Sequence, residues 1–125
     1  MHDLIAKLEA LDGPSREVDG EVWCAVNGYP FVMWDGAGVV YRGKDGIGHY
    51  AENNVPKWTA SLDAALALVK RVLPGWGFYL RSDKEGHGCG LVYPDAFRVT
   101  PCHCMGATPA IAMLLAMLKA KGEMG

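Results

Sequence analysis

No long apolar run occurs in this chain. The longest, Ala110 to Leu118, falls far short of the ~20 residues that cross a bilayer, so no membrane association is expected. Nor does one sign of charge dominate. Twelve basic residues stand against 14 acidic ones, a net charge of −2, without the basic patch or stripe of a general nucleic-acid binder. Met1-His2-Asp3 lacks the basic start of a secretion signal. The expected setting is therefore a cytoplasm, with Cys24, Cys89, Cys102 and Cys104 as reduced thiols. Catalytic signatures are also scarce. There are no paired carboxylates and no His-Glu metal motif, and Cys102 and His103 are neighbours that point opposite ways on a strand. A non-enzymatic protein is expected.

What is present fits one domain over residues 1–125, with half of its residues hydrophobic and 21% charged. Asp3 can cap a short helix carrying Leu4, Ile5, Leu8 and Leu11 on one face, ended by Asp12-Gly13-Pro14. A second helix is expected from about Ser15 to Val26, with Val18, Val22, Ala25 and Val26 as its stripe and Gly28 as its stop. Gly20 inside it costs up to ~1 kcal/mol relative to alanine. Phe31–Trp34 and Val39–Arg42 read as a hairpin around Asp35-Gly36-Ala37-Gly38. Gly43 to Asn54 reads as an exposed loop; its Gly43-Lys44-Asp45-Gly46 lacks the Gly-Lys-Ser/Thr ending and the strand-loop-helix setting of a phosphate loop.

Ser61 caps a third helix to about Leu73, which Pro74-Gly75 ends. Trp76–Leu80 and Gly90–Tyr93 read as strands around a turn at Ser82–Gly86, with Phe97–Val99 as a further strand. Thr108 and Pro109 then write a helix start, cap followed by N1 proline. The helix they open is apolar almost all round, which implies deep burial or a partner surface. Hairpins joined by helices give an α+β fold, a three-layer α/β/α sandwich with a largely antiparallel sheet covered by helices.

Three blocks carry a resemblance. The first is Asp3 to Ala10 followed by Gly13-Pro14-Ser15-Arg16-Glu17-Val18-Asp19. The second is Pro56-Lys57-Trp58-Thr59-Ala60-Ser61-Leu62-Asp63-Ala64-Ala65-Leu66 with Pro74-Gly75-Trp76 after it. The third is Ala107-Thr108-Pro109-Ala110-Ile111-Ala112 running into Leu118-Lys119-Ala120. In order and spacing they resemble the phage and prophage ABA-sandwich domain proteins, small proteins without an assigned activity. The family more often has tyrosine where this chain has Trp58, and Pro101-Cys102-His103-Cys104-Met105 and the glycines from Gly43 to Gly48 depart from it. The resemblance implies the sandwich fold, a phage context and the cytoplasm of the bacterial host. It implies no activity.

Two readings of the helix starts stand side by side. One is ordinary capping by Ser61 and Thr108 beside a core Trp58. The other is a ligand site: Trp58 stacking on a base, Thr59, Ser61 and Thr108 donating to phosphate, Gly106 beside the helix start, and Arg98 (or Arg42) and His103 nearby. On the second reading the protein is a binding protein for a small anionic or nucleotide ligand, and in a phage context a sponge for a signal of host defence. The other hypothesis is a protein-interaction accessory or host-protein inhibitor, or a homo-oligomer, joined through Met113, Leu114, Met117 and Leu118. For zinc the candidates are His87, Cys89, Cys102 and Cys104; twelve residues separate the pairs and the Cys-X-Cys bite is tight, so no cofactor is expected.

Overall fold

The computed structural model describes residues 2–36, 38–43, 46, 48–52, 55–84, 86–92 and 104–123. The chain runs α1 (His2–Ala10), α2 (Arg16–Asn27), β1 (Phe31–Trp34), β2 (Gly38–Arg42), β3 (Gly48–Glu52), α3 (Leu62–Val72), β4 (Gly77–Asp83), β5 (Gly86–Val92), β6 (Cys104–Gly106) and α4 (Pro109–Glu123). It is an α+β fold, and every described strand pair is antiparallel.

The helix signals are met by hydrogen bonds. Ser15 precedes α2 in extended conformation and its hydroxyl accepts from Val18 N at 3.3 Å; Ser61 does the same for Ala64 N at 3.2 Å, and Thr108 for Ile111 N at 3.1 Å. Gly28 ends α2 in the left-handed region, φ 77°. Asp3 lies inside the first turn of α1 rather than before it, where its charge still favours the helix N-terminus. Gly20, an apparent weakness, is explained by packing. A Cβ there would lie 3.0 Å from the Trp34 ring and 3.2 Å from Val39, so glycine lets α2 settle onto β1 and β2.

The strands differ from expectation in four places. Among the described residues they form two three-stranded sheets, β1-β2-β3 and β4-β5-β6, not one. The expected loop at 43–54 contains β3, whose five residues pair with all of β2 from Gly38↔Glu52 to Arg42↔Gly48. β5 begins at Gly86, well before Gly90, and β6 is an additional strand. Glycine explains the early start of β5. In Gly86-His87-Gly88-Cys89-Gly90 every second residue has no side chain, which hides the period-two pattern although the ladder to β4 is unbroken. The expected strand Phe97–Val99 lies outside the described residues.

The core gathers around α4. Ala110 through Leu118 are all at most 2% exposed, under α1, α3, β5 and β6. Deep burial is thus what its apolar circumference serves. Met113, Leu114, Met117 and Leu118 are covered within the chain, which corrects the expectation that this helix offers them to a partner. Among the described residues no helix is long and apolar enough to cross a membrane.

Gly106 shows how closely β6 approaches α4. A Cβ there would fall 2.8 Å from Ala112 N and 2.9 Å from Ile111 Cγ2, and a helix backbone cannot step aside. Gly106→Ala is expected to lower stability by about 2 kcal/mol, read from the urea midpoint at unchanged slope. An unchanged midpoint would contradict the packing.

Candidate functional site

The segment from Val55 to Ser61 is where three helix starts meet. The Lys57 carbonyl accepts from Ala60 N and Ser61 N, making a turn that buries Trp58 and Thr59. Thr59 is bonded on every side. Its Oγ1 accepts from Ser15 N at 2.9 Å and donates to Ser15 O at 3.2 Å, at the start of α2. Its backbone N–H donates to Asp19 Oδ1 at 2.8 Å. Its carbonyl accepts from the Thr108 hydroxyl at 3.4 Å, at the start of α4. One residue separates it from Ser61, the cap of α3.

A carboxylate and a guanidinium hold this junction. Asp19 is 1% exposed and pairs with Arg16 Nη1 at 3.0 Å. Arg16 then donates to Val55 O at 2.8 Å and Pro56 O at 3.1 Å, and lies over the Trp34 ring at 5.2 Å. Reading the sequence for caps and aromatics missed both residues. Their signal was the i,i+3 spacing, which places a cation and an anion on one face of a helix.

The structure therefore brings Trp58, Thr59, Ser61 and Thr108 together, with Gly106 two residues before Thr108. Arg98 and His103 lie outside the described residues, as does Cys102. Arg42 is exposed at the end of β2. The hydroxyls of Thr59 and Thr108 are engaged inside the chain, so the junction itself is a structural knot. The open space lies beside it. A groove of about 380 Å³ is lined by Pro56, Trp58, Ala64, Ala67, Leu68 and Arg71. Ala64, Ala67, Leu68 and Arg71 share one face of α3, and the two short alanine side chains leave the room.

No family model, curated protein or solved structure matches the chain. The site is accordingly read from its own chemistry.

Cys89 and Cys104 are register partners on β5 and β6 and both are buried. Burial pushes the Cys89 thiol from its ordinary 9.0 up to about 12, with the neighbouring Cys104 adding to it. Burial pushes Cys24 up to about 11, helped by the Glu21 carboxylate. Both are protonated at neutral pH in the free protein, the less nucleophilic form of a thiol. His87 Nδ1 meets Ser82 Oγ at 2.7 Å across the β4–β5 hairpin. Among the described residues, no three of His, Cys, Asp or Glu converge as metal ligands.

Proposed function

We propose that this protein is a non-catalytic binder of a small anionic ligand of the nucleotide class, held in the groove between Trp58 and α3. One observation carries the reading. The groove has an aromatic and alanine-lined interior and a cation at its mouth, Arg71, which has no hydrogen bond or ion pair among the described residues. A flat base lies against Ala64, Ala67 and Leu68 by apolar contact, with the buried Trp58 beside it. A phosphate then reaches the guanidinium, whose fork matches its oxygens.

In the phage setting that the resemblance implies, such a protein acts by sequestration. It takes a nucleotide-type signal of host defence out of circulation in the host cytoplasm, and holding the ligand unchanged suffices. The protonated, buried thiols of Cys24 and Cys89 support a role without covalent chemistry.

Thermal melting against a panel of mono- and cyclic nucleotides tests it. At 100 times its Kd a ligand adds about 2.7 kcal/mol of stability, a shift of several degrees at this chain length. One nucleotide class is expected to give that shift. Arg71→Ala and Ala67→Phe, both at exposed positions of α3, should abolish it while melting normally without ligand. A panel with no shift would overturn the reading.

A further inference from the structure

A second cavity lies between α1, the end of α2 and β1, with a volume of about 610 Å³. That is within the range of ligand sites. Its polar chemistry centres on one pair. Glu21 is a carboxylate held on α2 with its side chain 8% exposed, and it accepts a hydrogen bond from the Lys7 ammonium. Lys7 is 51% exposed and reaches in from α1 on a flexible stem. Its Nζ also stands 5.9 Å over the Phe31 ring. The pair is thus unequal, with a fixed, buried anion and a mobile cation that can leave.

We propose that this cavity binds a small organic amine, with a primary ammonium of the ligand displacing Lys7 from Glu21 and taking its place over Phe31. The protein's own lysine displays the geometry: a carboxylate on one side of the ammonium and an aromatic face on the other. The balance of charge selects a ligand with more than one positive centre. Lys7 feels Glu21, Glu17 and Asp3 together, and the hydrogen bond to Glu21 is the largest reason its proton is held more tightly than usual. Asp3 also lines the cavity. Two carboxylates, Glu21 and Asp3, line the cavity against the single ammonium of Lys7, so an aliphatic diamine suits it better than a monoamine and an anion is repelled. Leu4, Ala25 and Pro30 offer its methylenes an apolar wall.

The test is titration of the 15N-labelled chain with 1,4-diaminobutane, followed through the amide signals of residues 7, 21 and 31. Saturable shifts are expected, and butan-1-ol, the neutral analogue, should produce none. The decisive variant is Lys7→Met, which keeps α1 helical. A tethered lysine competes at an effective concentration in the millimolar range, so its removal should tighten diamine binding about tenfold. Phe31→Leu should weaken binding about threefold, and Glu21→Gln should abolish it. If Lys7→Met folds only poorly, the diamine should restore its native spectrum and butan-1-ol should not. Equal affinity in wild type and Lys7→Met, or no restoration, would overturn the proposal. An Nα-acetyl-lysine amide that bound more tightly than the diamine would overturn the assignment to a free amine in favour of a lysine side chain on a partner.

Discussion

Replacing Asp19 by alanine is expected to lower the melting temperature by about 10 °C, the equivalent of about 3 kcal/mol at this chain length. The cost has two sources. The Thr59 N–H, now donating to Asp19 at 2.8 Å in a buried setting, loses its acceptor, which costs ~1–3 kcal/mol. Arg16 loses its carboxylate as well; its side chain is 37% exposed, so water softens that loss to below ~1 kcal/mol. Asp19→Asn keeps an oxygen for Thr59 and should lose less than half as much. Thr59→Val removes both bonds to Ser15, and combined with Asp19→Ala it should cost clearly less than the sum, because both variants loosen one junction. Additive losses in urea denaturation would mean that the three helix starts are not coupled there.

Alkaline pH should weaken the fold before it affects most small proteins. In the unfolded chain a thiol loses its proton near its ordinary 9.0, whereas in the folded chain Cys24 holds it to about 11 and Cys89 to about 12. The charged form therefore favours unfolding. The stabilisation is complete below the unfolded value and is lost as pH rises from about 9 through the folded values. At about pH 10, one unit above the unfolded value, each thiol accounts for roughly 1 kcal/mol, or a few kcal/mol together. Lys7, whose proton is held above the usual range by Glu21, adds in the same direction at still higher pH. Urea midpoints between about pH 8 and pH 10 should fall steeply in the wild type. They should fall less in a Cys24→Ala, Cys89→Ala variant, even though the cavities lower its stability at every pH. Parallel slopes in the two proteins would show that the thiols titrate normally.

Helix boundaries were legible in the sequence because they depend on chemistry within four residues. Ser15, Ser61 and Thr108 each bond an N–H three residues on, and Gly28 takes a conformation that suits glycine. The β1–β2 hairpin was legible for the same reason, since Asp35 Oδ1 accepts from Gly38 N at 2.9 Å within the turn itself. β3 and the first half of β5 were not. Their pairing partners supply the stability, and glycine and polar residues carry no local strand signal. The helical stripes located the core, but the all-round apolarity of α4 was ambiguous until α1, α3 and two strands were seen to enclose it.

The candidate site divides along the same line. Trp58, Thr59, Ser61 and Thr108 were singled out by residue type, yet the contact from Thr108 to Thr59 spans 49 positions and no local pattern encodes it. The same holds for Lys7 and Glu21, 14 positions apart, and for Asp19, whose burial beneath Thr59 appears only when residues 55–61 fold back over α2. Arg71 lies on a different face of α3 from the apolar stripe that marks the helix in the sequence.

The most direct test of the nucleotide reading follows the indole N–H signals of Trp23, Trp34, Trp58 and Trp76 while the 15N-labelled chain is titrated with the nucleotide that raises its melting temperature. The groove reading predicts that the Trp58 signal moves and saturates with the ligand, that the other three stay in place, and that Ala67→Phe abolishes the movement. A response confined to Trp23, Trp34 or Trp76, with Trp58 unmoved, would contradict it.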